Sequence, residues 1–100
     1  MARYRIESTI VDTENATRSW PEARYHDGNN FISRATGSQW THQTLYRSRK
    51  GRYYVEHTSQ WQGSRAHAEW VSPEEAARWL LTNEHEVPPD LAHCVEEVSE

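Results

Sequence analysis

Two β-prone segments flanking a tight turn at the centre of the chain constrain the fold more than any other feature. They are Thr41-His-Gln-Thr-Leu-Tyr-Arg-Ser48 and Arg52-Tyr-Tyr-Val-Glu-His-Thr58, and Arg49-Lys50-Gly51 between them suits a three-residue loop with Gly51 in the left-handed position. In that register residue i faces residue 100 minus i. Leu45 then opposes Val55 and Arg47 opposes Tyr53 on one face, while Tyr46 opposes Tyr54 and Thr44 opposes Glu56 on the other. The face bearing Leu45 and Val55 is expected to be the core face. Ser38-Gln39-Trp40 recurs as Ser59-Gln60-Trp61, almost symmetrically about the turn, so folding the hairpin is expected to bring the copies side by side at its base.

The rest of the chain is read around this hairpin. Tyr4 to Val11 alternates as one strand, with Tyr4, Ile6, Ser8 and Ile10 on one side. Asp12 to Ser19 has no periodicity and is expected to be a loop ending at Trp20-Pro21. Ala23 to Tyr25 and Phe31 to Ser33 flank Asp27-Gly28, a hairpin-turn pair, and Ala66 to Val71 reads as a third strand after the central hairpin.

Val71-Ser-Pro-Glu-Glu-Ala76 marks a helix start. Ser72 and Glu75 form a capping box, Pro73 takes the first helical position, and Val71 can staple against Ala76. The helix runs from Pro73 to about Asn83, with Ala76, Ala77, Leu80 and Leu81 as its buried stripe. Beyond Pro88-Pro89, Leu91, Cys94, Val95 and Val98 recur at helical spacing and predict a short second helix. The fold class is therefore α+β: an antiparallel sheet of three to five strands carrying one C-terminal helix and a short second one. Residues 1–100 form a single domain, with 1–71 mainly β and loops and 72–100 a helical acidic tail.

Composition fits a small aromatic core. Leu, Ile, Val and Phe number only 14, a share at which disorder becomes the default, but five Trp and five Tyr supply large apolar bodies with polar handles. No apolar run is long enough to cross a bilayer and no secretory segment opens the chain, so a soluble, cytoplasmic protein without membrane contact is expected. One cysteine excludes an intramolecular disulfide.

The residues that could carry chemistry are not arranged for it. The six histidines include no helical i, i+4 pair, and His42 and His57 fall on opposite faces of the hairpin, so no zinc motif is present. Asp27-Gly-Asn-Asn30 lacks the spacing of a calcium loop, and His93-Cys94 are adjacent on a helix and point apart. There is no nucleophile elbow, phosphate-cradling glycine loop or Walker motif. Enzymatic activity is unsupported, and neither a cofactor nor a metal is expected.

Binding is the remaining class. Arg47, Arg49, Lys50 and Arg52, interleaved with Tyr46, Tyr53 and Tyr54, form the one dense basic-aromatic patch, the combination single-stranded nucleic acids require. The same cations also suit a solvated hairpin tip that deters strand pairing, or an acidic protein partner. An overall charge of −4 and a pI near 5.8 weigh against a strong phosphate binder. That total hides an asymmetry, because residues 1–71 carry ten of the eleven Lys and Arg against seven acids, and residues 72–100 carry eight acids against Arg78. Trp40 and Trp61, with Gln39 and Gln60 beside them, are the candidate interface anchors, unless they lock the fold instead.

Gly37-Ser-Gln-Trp40, Leu45-Tyr-Arg47, Gly51-Arg52, Ser59-Gln-Trp-Gln-Gly-Ser64, Trp70 and Ser72-Pro-Glu-Glu-Ala76 through Trp79-Leu80 together resemble small uncharacterised bacterial proteins carried on phages and plasmids. The resemblance covers about the last two thirds of the chain and implies no particular activity. Size and setting, rather than a motif, bring in the anti-CRISPR class of inhibitors. The expectation is a small non-catalytic binding protein acting on a protein or nucleoprotein complex, as such an inhibitor does. The alternative is a nucleic-acid-binding accessory or regulatory protein working through the hairpin 46–54. Exposed aromatics leave room for a homodimer.

Overall fold

The computed structural model describes residues 3–59 and 65–92. Among them the chain forms strands β1 (Arg3–Ile6), β2 (Thr9–Asp12), β3 (Arg18–Pro21), β4 (Arg24–His26), β5 (Phe31–Ser33), β6 (Thr41–Arg47), β7 (Tyr53–Ser59) and β8 (His67–Val71), then helix α1 (Pro73–Thr82). Short 3₁₀ turns follow β2 at Thr13–Asn15 and α1 at Pro89–Leu91.

The main sheet has the antiparallel order β3-β6-β7-β8. Its centre is the hairpin read from the sequence: Leu45 faces Val55, Tyr46 faces Tyr54 and Arg47 faces Tyr53. The loop closes as expected, with Gly51 at φ +87°, its N–H donating to the Ser48 carbonyl at 2.9 Å and the Ser48 N–H donating to the Arg52 carbonyl at 2.7 Å. On the far side of β7, Tyr54 faces Trp70 and Val55 faces Glu69.

β3 is a correction. Arg18 to Pro21 pairs with β6 as an edge strand, Trp20 facing Leu45, where a loop was expected. The stretch carries too few apolar residues for alternation to register, and Pro21 is tolerated because an edge strand leaves its missing N–H unneeded. β4 and β5 form the expected small hairpin, whose turn is tied by Asp27 Oδ1 accepting from the Asn29 and Asn30 N–H groups at 2.9 and 2.8 Å.

Helix α1 begins as its sequence demands: Ser72 Oγ accepts from the Glu75 N–H at 3.1 Å, and Glu75 reaches back to the Ser72 N–H at 3.2 Å. Ala76, Ala77 and Leu80 pack against Trp20, Leu45, Tyr53 and Val55, with Leu91 closing the cluster. Leu81 departs from the expected stripe, being 42% exposed. The helix ends in a Schellman motif: the Glu84 N–H donates to the Leu81 carbonyl at 3.2 Å and the His85 N–H to the Leu80 carbonyl at 2.9 Å, with Glu84 at φ +63°. Asn83 caps the helix, as its sequence position suggests, and also docks it. Its Oδ1 accepts from the Ala23 N–H at 2.9 Å and its Nδ2 donates to the Trp79 carbonyl at 2.8 Å. Leu91 lies in a 3₁₀ turn; the remainder of the expected second helix, including Cys94, lies outside the described residues.

The second face of the sheet is also covered. Residues 4–11 are not one strand but a hairpin, β1 pairing with β2 across a two-residue turn in which Glu7 takes φ +57°. Reversing the chain there puts Val11 opposite Tyr4, so Ile6 and Val11 are buried together against Tyr54, while Ile10 turns outward. Tyr4, Tyr46, Ala68 and Trp70 complete this second cluster. The order is thus helix, sheet, hairpin, with apolar clusters on both faces of β7 where a single core face was expected.

Candidate functional site

The site grows out of the β6–β7 turn. Side chains alternate along β7 and β8, so Arg52, Tyr54 and Trp70 share the face toward the β1–β2 hairpin. Between that hairpin and the turn lies a cleft of about 480 Å³. Arg3, Arg49, Lys50 and Arg52 line it, the half-exposed Trp70 contributes aromatic surface over the buried Tyr54, and Asp12 is its one carboxylate among the described residues. None of the four cations pairs with an acidic side chain among the described residues. Arg52 lies instead against Trp70, its guanidinium carbon 3.8 Å from the ring centroid.

Two donors of the lining residues are buried behind the cleft wall. The Tyr54 hydroxyl and the Trp70 indole N–H are buried without a hydrogen-bond partner among the described residues, and Tyr54 is 0% exposed. A buried polar group without a partner costs about 1–3 kcal/mol. Burial, with the neighbouring Tyr46 and Glu56, pushes the Tyr54 phenol up to about 12, so it remains a protonated donor at neutral pH. Tyr4 lies in the same layer and donates to Glu56; burial and that hydrogen bond push its phenol up as well.

A second cleft of about 490 Å³ adjoins the first, and Arg52 and Trp70 line both. Its walls are otherwise unlike those of the first: Tyr53, Val71, Pro73 and Leu91 are apolar, and Asp90 supplies a carboxylate. Asp90 Oδ2 accepts from the Tyr53 hydroxyl at 2.7 Å and lies 3.4 Å from Arg47 Nε. Burial and the Asp90 hydrogen bond push the Tyr53 phenol up to about 12.

The candidate site residues read from the sequence are divided in the structure. Arg49, Lys50, Arg52 and Tyr54 meet at the first cleft. Arg47 does not join them: it alternates onto the helix face, where Asp90 and the Thr17 hydroxyl hold it. Trp40 is 41% exposed and precedes β6, about 25 Å along the hairpin from the basic turn. Its N–H donates to Ser38 Oγ at 3.0 Å, and Gln39 lies beside it in the same turn. Ser59 pairs with Thr41, but Gln60 and Trp61 lie outside the described residues, and with them the expected meeting of the two Ser-Gln-Trp copies.

Arg3 and Trp70 join the cleft without any local sequence signal that marks them as site residues. Arg3 reaches the cleft only because residues 3–12 fold back as a hairpin, for which Glu7-Ser8 gives no turn signal. Trp70 reaches it through the β7–β8 register.

The titratable groups elsewhere serve structure. Glu22, with a side chain only 4% exposed, accepts from Ser33 Oγ (2.8 Å), the Gln43 N–H (2.6 Å), Arg24 Nε (3.0 Å) and His42 Nδ1 (2.6 Å). Burial pushes its carboxyl up, but these hydrogen bonds outweigh burial and hold it below the usual value. The rings of His57 and His67 stack at 4.6 Å, with His57 Nε2 2.8 Å from Glu69. Among the described residues no group of three His, Cys, Asp or Glu is placed to hold a metal ion, and no helix is long and apolar enough to cross a membrane. In comparisons with known proteins, no family model, curated protein or solved structure matches this chain.

Proposed function

We propose that this is a non-catalytic binding protein that engages single-stranded nucleic acid, bare or exposed on a nucleoprotein complex, through the cleft beside Trp70. The observation that carries the reading is the convergence of Arg3, Arg49, Lys50 and Arg52 on one aromatic-walled cleft with no ion pair to an acidic side chain among the described residues. Unpaired cations beside aromatic surface track a phosphate backbone and accept bases of any sequence. The acidic pI does not oppose this. Screening limits the reach of exposed charges to about 8 Å at physiological salt, so the local cluster rather than the net charge sets the field a ligand meets. For a phage- or plasmid-borne inhibitor, such a cleft offers a hold on the exposed strand of a host nucleoprotein complex.

Fluorescence anisotropy with a fluorescein-labelled single-stranded oligonucleotide tests the reading across about 50–200 mM salt. Binding is expected to weaken with salt, with a slope of about −0.7 per phosphate neutralised. Arg49→Glu combined with Arg52→Glu is expected to weaken binding at least tenfold and to flatten that slope, with stability within about 1 kcal/mol of the parent. A double variant that binds as tightly as the parent at low salt overturns the reading.

A further inference from the structure

The two clefts flanking Arg52 and Trp70 differ in chemistry in the way the two halves of a nucleotide differ. The first offers Arg3, Arg49 and Lys50. The second offers Tyr53, Val71, Pro73 and Leu91, with the carboxylate of Asp90 at its wall. Only Arg52 and Trp70 are common to both, and stacking against the ring holds the guanidinium between them.

We infer that the clefts form one bipartite nucleotide site, phosphate in the first and base in the second. The inference rests on the strand-binding reading and deepens it. A phosphate cannot use the second cleft well. Asp90 repels it, and the amide groups of Ser72 and Glu75 at the start of α1 are already occupied by the capping box, with Glu74 and Glu75 adding negative charge in the first turn. A base suits that cleft. Its flat face has the exposed Pro73 ring and the half-exposed Val71 and Trp70 to lie on, above the buried Tyr53 and Leu91, and Asp90 can accept from an exocyclic amine. Tyr53 and Arg47 fix the position of that carboxylate. Arg52 sits where sugar and phosphate join, its fork turned by Trp70 and free of a competing carboxylate among the described residues.

A strand stripped of its bases separates this inference from the broader reading. Fluorescein-labelled oligo-dC and an abasic strand of equal length, about 12 nucleotides, carry the same phosphates and are compared by anisotropy at one salt concentration. The bipartite site predicts that oligo-dC binds about fivefold tighter or more, the contribution of a seated base. Asp90→Asn is expected to reduce that advantage, while abasic binding, relieved of a repelling carboxylate, does not fall; a thermal melt of the same variant checks that the fold is retained. Equal binding of the two strands by the parent, or an Asp90→Asn protein with the full base advantage, overturns the bipartite site and leaves the strand-binding reading standing. A parent that binds neither strand overturns both.

Discussion

The guanidinium of Arg52 lies over the ring of Trp70, its central carbon 3.8 Å from the centroid, and no acidic side chain among the described residues competes for it. Two residues 18 apart in sequence are joined this way because β7 and β8 carry them onto one face. At a partly solvated site such a contact stabilises by about 0.5–1 kcal/mol. Arg52→Ala is expected to lower stability in urea melts by that amount and to change tryptophan fluorescence, whereas Arg49→Ala in the same loop should stay within about 0.5 kcal/mol of the parent. Equal melts for the two variants would show that the stacked pair contributes nothing to stability.

The buried Tyr54 and the half-buried Tyr4 should respond with opposite signs. Tyr54→Phe removes a hydroxyl that has no partner among the described residues, so stability is expected to hold or rise by about 1 kcal/mol. Tyr4→Phe removes a donor to Glu56 and is expected to cost about 1–2 kcal/mol. Chemical denaturation of both variants measures the contrast, and a marked loss in Tyr54→Phe would mean that its hydroxyl is satisfied in solution.

The two leucines at the end of α1 make a second contrast. Leu80 is 0% exposed among Trp20, Leu45 and Val55, so Leu80→Ala is expected to cost about 2–5 kcal/mol. Leu81→Ala, on the outer side of the same turn, should cost under about 0.5 kcal/mol beyond propensity. Paired denaturant melts decide it.

Glu22 couples stability to pH. Its folded carboxyl lies below its ordinary value of 4.5, so the folded state binds that proton less readily than the unfolded chain does. The resulting stability is fully present above that ordinary value and is lost as pH falls through the folded one. Melts between about pH 7 and pH 3 should show the parent losing stability at the acid end. Glu22→Gln should be less stable by about 3 kcal/mol at neutral pH and should lose less on acidification. An unchanged pH profile in the variant would remove Glu22 as the source.

Glu84 holds a left-handed conformation at the helix end, where glycine carries no steric penalty. Its one ion pair among the described residues, with Arg34 at 3.9 Å, is exposed and contributes little. Glu84→Gly is expected to stabilise the protein by about 1 kcal/mol, read as a higher melting temperature. A lower one would mean that the side chain outweighs the backbone strain.

The elements legible in the sequence are those whose signals are local. The β6–β7 register follows from the loop length and Gly51, the start of α1 from Ser72-Pro73 and Glu75, and the β4–β5 turn from Asp27-Gly28. Of the candidate site, the cations Arg49, Lys50 and Arg52 and the ring of Tyr54 could be picked out because they crowd one turn. β3 leaves no alternating pattern in the sequence because Trp20 is its one large apolar side chain. The β1–β2 turn leaves no signal because Glu7 takes a conformation normally marked by glycine or asparagine.

What the sequence determined by itself is short-range: the central hairpin and its register, the capped helix and the clustering of charge at one turn. Loop length, a left-handed glycine and a capping box act over a few residues, and no distant contact is needed to read them. Tertiary structure alone decided which face each cation serves, since strand alternation sends Arg47 to Asp90 and Arg52 to Trp70. It also decided that both faces of β7 are covered, that Glu22 gathers three strands' worth of donors, and that Arg3 returns to the basic turn. Such contacts depend on how separate hairpins dock, and docking is selected by the burial of surfaces that lie far apart along the chain.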